Sequence, residues 1–462
     1  MLVSIILAAG EGSRMKSNLP KCAHKVCGKA LINHVVDSAV EAGVEKNVVI
    51  VGHKAETVEN EIIQKDKVVT ALQPVGDDAP YGTGFAVKQG EKEFEDGDTV
   101  VVLCGDTPLI RANTVKELME FHDKGEFDVT VLTSEFDDPA GYGRIIRDDS
   151  DKVVGIVEQK DASEEQRKVK EVNSGIYCFK GAVLRDILGR LDNDNAQGEY
   201  YITDAVEIVN GDGGKVGGFK VSDNGEIQGI NSKVQLAEAE KVMRNRINRK
   251  AMEEGAILID SDSTYISEEA VIGRDTVIYP GVFIEGKTVI GENCLIGNNT
   301  KIKDSEIADN VEIQNSTIVE SSVGKNTKIG PYAYLRPNSC LGENIKIGDF
   351  VEVKNSKIGN GTKASHLAYI GDAEVGENVN VGCGVVFVNY DGAKKCKVEV
   401  GDNVFIGCNS NLVSPVKINS HTYIAAGSTI TEEVKENSLA IARARQVEKA
   451  DWVIKKGIRK DK

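Results

Sequence analysis

The chain lacks any apolar run long enough to cross a lipid bilayer, and it lacks an excess of positive charge. Residues 2–9 are apolar but too few for a membrane helix, and no basic segment precedes them, so we expect no signal peptide. The formal net charge is −16 over 462 residues, which argues against non-specific binding to nucleic acid or to an anionic membrane surface. Small anionic ligands remain compatible with this charge because they need only a local cluster of cations.

Cysteine spacing typical of metal sites is also missing. Nine cysteines are scattered along the chain, and no CxxC pair occurs. An odd cysteine count in a chain of this size predicts reduced thiols in a cytosolic protein. We therefore expect a cytoplasmic location.

The length predicts more than one domain. In residues 1–229, buried strand patterns such as 3–7, 48–51, 100–103 and 129–132 alternate with helical patterns. This alternation predicts an α/β domain whose mostly parallel sheet binds ligands at the carboxyl ends of its strands. Residues 230–254 are predicted to form a helical linker, residues 255–437 a repeat domain, and residues 438–462 a charged C-terminal tail with Trp452 on a helix.

The repeat domain shows an aliphatic residue at nearly every sixth position. A period of six fits neither an amphipathic helix nor a two-sided strand. It is typical of a parallel β-helix, whose three-sided coils of about 18 residues stack about 4.8 Å apart. Roughly nine coils fit the span, and the alternative is a set of short β-hairpins with coincidental spacing. The in-phase residues include Ile272, Ile278, Ile284, Ile290, Ile296, Ile302, Ile307, Ile313, Ile318, Val323, Ile329, Leu335, Leu341, Ile347, Val353, Ile358, Ala364, Ile370, Val375, Val381 and Phe387.

A glycine-rich turn follows the first predicted strand, at Gly10-x-Gly12. It has neither the third glycine of a dinucleotide fold nor the Walker pattern, so an ordinary strand–helix turn is one reading. Arg14 and Lys21 favour a phosphate site, since backbone N–H groups and two cations would surround the anion. Asp106 ends another predicted strand, where it is either a helix N-cap or a Mg²⁺ ligand.

Two cations break the regularity of the repeat domain. Arg336 and Lys354 each follow an inward position and lie one coil apart, so they should stack at about one strand spacing. At roughly 5 Å they repel by about 1–3 kcal/mol at a surface-like dielectric. Either both point into solvent, or an anion such as a sugar phosphate lies between them.

Two further features lie near these cations in the predicted coil. His366 should point outward, where it is either merely solvated or, beside Tyr369 and the cations, a candidate base. The step from Phe387 to Val400 is too long for the repeat, which predicts an extruded loop at residues 389–395. Such a loop is either a tolerated insertion or part of a binding face.

The motifs carry a resemblance over both halves of the chain. Leu7-Ala8-Ala9-Gly10-Glu11-Gly12-Ser13-Arg14-Met15 with Lys21 resembles the signature loop of sugar-nucleotide pyrophosphorylases. Further matches are Gly82-Thr83-Gly84, Gly105-Asp106, Gly141-Tyr142-Gly143-Arg144, Asn173-Ser174-Gly175, Gln197-Gly198-Glu199-Tyr200-Tyr201, Gly229-Ile230-Asn231, residues 363–372 and Asn389-Tyr390-Asp391-Gly392. The whole resembles the bacterial bifunctional N-acetylglucosamine-1-phosphate uridylyltransferase/glucosamine-1-phosphate N-acetyltransferase family. That implies a Rossmann-like nucleotidyltransferase domain followed by a left-handed parallel β-helix of hexapeptide repeats, in a homotrimer.

The resemblance implies roles for residues of the first half. Arg14 and Lys21 become catalytic cations on the triphosphate of UTP, and Asp106 with Asn231 would hold Mg²⁺. The implied nucleotide contacts are Leu7, Ala8, Ala9, Gly10, Lys21, Gln73, Gly82 and Thr83, and those to N-acetylglucosamine 1-phosphate are Gly143, Glu158 and Asn173. This sequence departs from the family's pattern in two places. The spacer between Gln73 and Gly82 is longer than usual, and Cys104 occupies a position where the family commonly has tyrosine.

In the second half the resemblance makes His366 the general base that deprotonates the glucosamine amine, with Glu352 orienting its imidazole. The implied sugar-phosphate contacts are Arg336, Lys354, Tyr369, Asn380 and Lys395. The implied acetyl-CoA contacts are Asn389, Tyr390, Cys408, Ala426 and Arg443, with Tyr390 a candidate to stabilise the oxyanion. Position 408 is cysteine where the family often has serine.

The sequence thus predicts a two-site enzyme that makes UDP-N-acetylglucosamine for peptidoglycan and lipopolysaccharide precursors. Its co-substrates would be acetyl-CoA and UTP, with Mg²⁺ as cofactor. One alternative is a single-activity nucleotidyltransferase that uses its β-helix for assembly or allostery. Another is a regulatory subunit of the same architecture with inactive sites, against which the set Arg14, Lys21, Asp106 and Asn231 argues.

Overall fold

The computed structural model describes residues 1–76 and 79–458. The chain divides into two compact units, Met1–Met243 and Arg244–Lys462. The division falls within a long helix, so each unit contributes part of the same helix.

The first unit is a layered α/β domain. Its strands are β1 (Leu2–Leu7), β2 (Lys25–Val26), β3 (Lys29–Ala30), β4 (Lys46–Val51), β5 (Val68–Leu72), β6 (Thr99–Cys104), β7 (Val129–Glu135), β8 (Arg144–Arg147), β9 (Val153–Val157), β10 (Glu171–Lys180) and β11 (Val216–Lys220). Its helices are α1 (Leu31–Glu41), α2 (Ala55–Glu61), α3 (Thr83–Lys88), α4 (Ala112–Gly125), α5 (Gly181–Arg190), α6 (Ala205–Gly211) and α7 (Lys233–Glu253), the last shared with the second unit.

The main sheet has the order β11-β7-β10-β6-β1-β4-β5, with β8 and β9 attached to β10. Strand β1 is parallel to β4 and β6, whereas β10 is antiparallel to β6 and β7. Both faces are covered: Ile6 packs into one apolar cluster and its neighbour Ile5 into the other. Each such fully buried side chain contributes about 1.5–3 kcal/mol. The predicted mostly parallel α/β sheet is confirmed, with antiparallel pairing added at β10 and between β8 and β9.

The second unit is a parallel β-helix followed by a short helix, α8 (Trp452–Lys455). Its strands are β12 (Ile257–Leu258), β13 (Tyr265–Ile266), β14 (Val271–Ile272), β15 (Val277–Ile278), β16 (Phe283–Glu285), β17 (Val289–Ile290), β18 (Leu295–Ile296), β19 (Lys301–Lys303), β20 (Glu306–Ile307), β21 (Glu312–Ile313), β22 (Thr317–Val319), β23 (Ser322–Val323), β24 (Lys328–Ile329), β25 (Tyr334–Leu335), β26 (Cys340–Leu341), β27 (Lys346–Lys354), β28 (Lys357–Ile358), β29 (Lys363–Gly371), β30 (Ala373–Val375), β31 (Asn380–Val381), β32 (Val386–Val388), β33 (Val398–Val400), β34 (Phe405–Ile406), β35 (Asn411–Val413), β36 (Val416–Ile418), β37 (Tyr423–Ile424), β38 (Thr429–Ile430) and β39 (Leu439–Ala440).

Equivalent strands of successive coils stack on the same face of the β-helix. Most are three apart in number, and the interval is shorter around β27 and β29, each of which runs across two faces. One face, from β14 to β36, is a nine-stranded parallel sheet, which matches the predicted coil number. The aliphatic ladder points inward, and Ile278, Ile296 and Ile302 are completely buried. Some buried threonines hydrogen-bond to the next coil, as Thr276 does by donating to the Gly291 carbonyl at 2.7 Å. The hexapeptide ladder therefore specifies the core of this unit, and the predicted fold class is confirmed.

Candidate active sites

The glycine-rich turn lies at the carboxyl end of β1. Gly12 has φ of 68°, and a Cβ there would lie 2.8 Å from Cβ of Lys21. This contact shows that the turn packs tightly against the lysine backbone. In contrast, a Cβ on Gly10 would meet nothing within 4 Å. The Gly10 side of the turn is therefore open space that a ligand can approach.

Four of the predicted polar residues converge beside this turn. Lys21 is ion-paired with the carboxylate of Asp106, which follows β6. Its Nζ also donates to Oδ1 of Asn231 at 3.0 Å, and Arg14 Nη2 donates to the same oxygen at 2.8 Å. Burial lowers the pKa of Lys21, but the charge and hydrogen bond of Asp106 outweigh it, so the pKa is raised overall. The structure thus assembles a charged cluster from residues more than two hundred positions apart.

This cluster fits a magnesium ion held with help from a substrate. The Lys21 ammonium contacts both Asp106 Oδ2 and Asn231 Oδ1, so one cation can reach both oxygens. Among the described residues no group of three histidine, cysteine or acidic side chains could hold a metal. Mg²⁺ does not require such a group, because it typically keeps several waters and binds through one or two carboxylates plus substrate phosphates.

Of the residues predicted to read the base, Gly82 and Thr83 lie at the start of α3, and Gln73 follows β5. Gln73 is buried just after β5, and its backbone N–H donates to the Val51 carbonyl at 2.7 Å. Gly82 precedes the helix with φ of 124°, and Thr83 Oγ1 accepts from the backbone of Ile202 at 3.1 Å. Tyr200 passes directly over Gly82, where a Cβ would lie 2.4 Å from its carbonyl oxygen. In the spacer before Gly82, residues 77 and 78 lie outside the described residues.

The three residues predicted to bind the sugar lie together beside β8 and β10. The Asn173 backbone N–H donates to the Gly143 carbonyl at 2.9 Å. A Cβ on Gly143 would meet Oε1 of Glu158 at 3.2 Å, so glycine leaves room for that carboxylate. Burial, followed by the charges of Asp161 and other acids, raises the pKa of Glu158. This group of polar and acidic side chains is chemically suited to hydrogen-bonding with sugar hydroxyls.

Cys104 lies at the end of β6, between the sugar residues and the charged cluster. Its Sγ donates to the Gly175 carbonyl at 3.4 Å. Burial and the charge of Asp106 raise the pKa of Cys104 to about 12. The side chain is therefore a neutral thiol, a much weaker hydrogen-bonding group than the tyrosine hydroxyl that the resemblance led us to expect.

The second cluster lies on the β-helix, where Leu335 pairs with Val353 in adjacent coils. The residues that follow them, Arg336 and Lys354, are therefore stacked as predicted. Arg336 pairs with Glu352 at 2.8 Å. The neighbouring ammonium of Lys395 lowers the pKa of Lys354, and burial and Arg336 act in the same direction. Three cations thus crowd one another, which is the arrangement that an anionic ligand relieves.

The imidazole of His366 points outward from β29, and its Nδ1 lies 2.8 Å from Oδ1 of Asp349 in the preceding coil. The expectation that Glu352 orients this ring is wrong, since Glu352 is engaged by Arg336. Asp349 is the in-register partner of His366 in the strand ladder. The hydrogen bond from His366 lowers the pKa of Asp349. With Nδ1 engaged, Nε2 is the ring nitrogen left to interact with another group.

Tyr369 and Asn389 extend this cluster. Asn389 is buried, donates to the Tyr369 hydroxyl at 3.3 Å and also contacts the Asp372 carboxylate. Asn355 donates to the other oxygen of Asp372 at 2.6 Å. These hydrogen bonds, with the charges of Lys354 and Lys395, outweigh burial and lower the pKa of Asp372. Asp372 thereby fixes the base of the 389–395 loop.

The remaining predicted residues are spread around this corner of the β-helix. Tyr390 is exposed, and its hydroxyl donates to the Gly392 carbonyl in its own loop at 2.6 Å. Arg443 donates to the Ala426 carbonyl at 2.8 Å, and Cys408 is exposed one coil before Ala426. Asn380 pairs with Lys363 in the strand ladder, on a different face of the β-helix from Arg336 and Lys354. Within the described residues, its side chain makes no hydrogen bond with these cations.

Sequence reasoning missed two residues of these sites, Asp349 and Cys383, and each lies beside a predicted residue. Tyr200 belongs to a motif that matches the family, but its close backbone contact with Gly82 was not expected from the sequence. Cys383 follows Val381 by two positions, as His366 follows its partner Ala364, so Cys383 lies directly next to His366 in the following coil. Counting positions from the inward aliphatic residue of each coil would have revealed both Asp349 and Cys383.

The fold and the two clusters define a transferase with a nucleotidyltransferase unit and a hexapeptide-repeat unit. The nucleotidyl transferase family matches residues 3–230. The EIF2B subunit epsilon LbH domain matches residues 251–353, and the bacterial transferase hexapeptide (six repeats) matches residues 397–432. No helix in the described residues is both long and apolar enough to cross a membrane.

Relatives match along nearly the whole chain. The bifunctional protein GlmU of Clostridioides difficile (strain 630) is 54% identical over 458 residues, covering 99% of this chain and 98% of that protein. The GlmU proteins of Caldanaerobacter subterraneus subsp. tengcongensis and Alkaliphilus metalliredigens are 56% and 49% identical over 459 residues, covering 99% of each chain. The chain belongs to the GlmU family of bifunctional proteins. It is an enzyme with uridylyltransferase and acetyltransferase activities, which together produce UDP-N-acetylglucosamine, a precursor for the cell wall.

Proposed function

We propose that each activity is carried by one of the two clusters. Uridylyl transfer would take place where Arg14, Lys21, Asp106 and Asn231 converge, at the carboxyl edge of the first unit's sheet. Acetyl transfer would take place beside His366 on the β-helix. One observation carries the proposal. Each cluster combines cations that can bind a phosphate with a further group that its reaction requires: the Asp106 and Asn231 oxygens in the first unit, and His366 in the second.

In the first unit, a sugar 1-phosphate would attack the α-phosphorus of UTP in line and release pyrophosphate. Arg14 and Lys21 would neutralise the triphosphate, and the open side of Gly10 would let backbone N–H groups approach it. Gln73, Gly82 and Thr83 would hold the uracil, while Gly143, Glu158 and Asn173 would orient the sugar. Bound at Asp106 and Asn231, Mg²⁺ would supply further neutralisation of the phosphate charge.

In the second unit, Arg336, Lys354 and Lys395 would hold the phosphate of glucosamine 1-phosphate. His366 would remove a proton from the amine through Nε2, because Asp349 already engages Nδ1. The Asp349 carboxylate would stabilise the imidazolium that forms. Tyr369 and Asn380 would complete the sugar site. Asn389, Tyr390, Cys408, Ala426 and Arg443 would line the path of acetyl-CoA.

The decisive experiment measures both half-reactions on the wild type, Asp106→Ala and His366→Ala. We expect Asp106→Ala to lose uridylyl transfer and keep acetyl transfer, and His366→Ala to do the reverse. General-base removal should cost about 100–10,000-fold. A matched control is Glu306→Ala, which removes an exposed carboxylate from another part of the β-helix. Loss of both activities in either variant, or a wild type without acetyl transfer, contradicts the two-site assignment.

We also propose a homotrimer in which neighbouring β-helices share each acetyl site. Support comes from an apolar ridge beside His366, formed by Tyr332, Phe350 and Leu367 in successive coils. Tyr332 and Phe350 stack 5.6 Å apart, and all three side chains are more than half exposed. All three have positive φ, from 34° to 59°, which is rare for bulky residues and concentrates at functional positions.

Sharing of the site is tested by complementation. Light scattering should give the mass of three chains. His366→Ala and Arg443→Ala trimers, each inactive in acetyl transfer, should regain activity after the chains are mixed and exchanged. If each site lies within one chain, mixing restores nothing. We place the enzyme in the cytoplasm, because UTP and acetyl-CoA are cytoplasmic metabolites.

A further inference from the structure

One corner of the β-helix carries two exposed thiols in line with His366. The strand ladder pairs Ala364 with Val381 and Val381 with Ile406. Two positions further along each coil are His366, Cys383 and Cys408, so these three residues follow one another along the corner. The backbone hydrogen bond from Asn409 to the Cys383 carbonyl, at 2.7 Å, fixes the last two coils in this alignment.

The spacing of these cysteines suits a covalent link. In-register residues of adjacent coils lie about 4.8 Å apart, within the range of about 4.4–6.8 Å for Cα atoms joined by a disulfide. Cys383 and Cys408 are both free and exposed. Each precedes a residue with left-handed backbone, Gly384 and Asn409, so both occupy the same position of the same turn. Their Cβ atoms consequently point in the same direction and lie about one strand spacing apart, so a disulfide, whose Cβ atoms are about 3.5–4.5 Å apart, requires the two coils to approach each other locally by a few tenths of an ångström.

The other exposed thiol offers a contrast. Cys340 lies on the face that runs from β14 to β36, where its in-register neighbours are Ser322 and Lys357. It has no thiol beside it in the ladder. Cys383 and Cys408, in contrast, lie on a corner that must stay accessible for acetyl-CoA to reach His366.

We propose that Cys383 and Cys408 form a reversible disulfide that closes the acetyl-donor end of the β-helix site. The location of that site rests on the proposed function. The bond would tie two coils together and remove the thiol of Cys408 from the path of acetyl-CoA. Since the uridylyl site lies in the other unit, its activity would be unaffected.

A low-molecular-weight disulfide is a sufficient oxidant. One cysteine thiolate attacks a sulfur of the disulfide and expels one thiolate, forming a mixed disulfide with the protein. The second cysteine thiolate attacks the protein sulfur and expels the other thiolate. Two electrons pass from the cysteine pair to the oxidant, and the two protein protons appear on the two released thiols. An excess of dithiol reverses both steps.

The test exposes the full-length enzyme to graded ratios of oxidised to reduced glutathione, with peptide mapping under non-reducing conditions. We expect a cross-linked peptide pair containing Cys383 and Cys408, and two fewer titratable thiols per chain. Acetyl transfer should fall about 10–100-fold, the scale of loss caused by misplacing site groups by about 1 Å. Uridylyl transfer should be unchanged, and dithiothreitol should restore the acetyl activity.

Variants separate the possible outcomes, each compared with its own reduced activity. Cys383→Ser and Cys408→Ser should abolish the sensitivity to oxidation, whereas Cys340→Ser should retain it. A glutathione adduct without the cross-link, a link to another cysteine, or a linked pair with full acetyl transfer overturns the proposal. If the reduced wild type lacks acetyl transfer, the proposed function fails instead, and the peptide map still reports whether the disulfide forms.

Discussion

Replacement of Gly82 by alanine should damage the nucleotide site through two separable effects. Gly82 has φ of 124° and ψ of 164°, a backbone region open almost solely to glycine, so we expect strain of about 1–3 kcal/mol. The new Cβ would also lie 2.4 Å from the oxygen and 2.5 Å from the nitrogen of Tyr200. Both are backbone atoms held by hydrogen bonds of 2.8 Å to Tyr81 and Gly84. Relieving this overlap should cost about a further 1–3 kcal/mol.

The assays are the Michaelis constant for UTP and the hydrogen exchange of core amides in the first unit. Exchange is preferred to a single melting temperature because a chain of two units need not unfold in one step. Gly82→Ala should lower the free energy of opening by about 2–6 kcal/mol, the sum of the strain and overlap costs. The Michaelis constant for UTP should rise, and acetyl transfer should stay at its wild-type rate.

Alanine substitutions at two other glycines separate the cost of backbone strain from the cost of steric overlap. Gly28 has φ of 83° but open space around its Cβ position, so Gly28→Ala tests strain without overlap. Gly97 has open space and an ordinary backbone, so Gly97→Ala should be nearly neutral. If Gly82→Ala costs no more than Gly28→Ala, the close approach of Tyr200 has no energetic weight and the reasoning is refuted.

Three further predictions concern charged groups. Asp349→Asn should reduce the acetyl-transfer kcat by about 10–100-fold and leave the KM for the sugar substrate unchanged. This loss should be smaller than that caused by removing the base His366. A larger effect from Glu352→Gln would contradict the prediction. Lys395→Met should raise the pKa of Lys354, because the ammonium at 395 now lowers it, and should raise the KM for glucosamine 1-phosphate about tenfold, or about 1.4 kcal/mol. Burial raises the pKa of Asp204 from 3.8 to about 6, so its ionisation destabilises the fold as pH rises through that window. Asp204→Asn should therefore raise the melting temperature of the first unit progressively from about pH 4 to 6 and by a constant amount above it; an equal gain at all pH values would refute this sign.

The architecture could be read from the sequence because its periodicities are strong. The six-residue ladder fixes which side chains are buried, and no other regular structure repeats with that period. In the first unit, alternating strands and helices predicted the parallel sheet, but not the antiparallel β10. That strand enters the sheet between β6 and β7, far from both in sequence, and its direction depends on tertiary packing that local patterns do not report.

Single contacts between charged side chains were harder to predict. The partner of His366 was expected to be Glu352, and the structure supplies Asp349. The reason is the corner within β27: Asp349 lies before it, whereas Glu352 lies after it, beside Arg336. A difference of three positions therefore moves a carboxylate to another face of the β-helix.

The loop at residues 389–395 shows why position along a coil is more informative than distance along the chain. The loop lengthens one coil, yet Val381 still pairs with Ile406 and Phe387 with Leu412. The extra residues are therefore extruded without shifting the stack below them. His366, Cys383 and Cys408 consequently remain on one corner although the intervals between them in sequence are unequal. Because each coil buries its own aliphatic residues whatever protrudes at the corner, chemistry on this surface can change without cost to the core. Cys383 and Cys408 are two such corner residues, and their reactivity depends on the coil register rather than on the family's overall pattern.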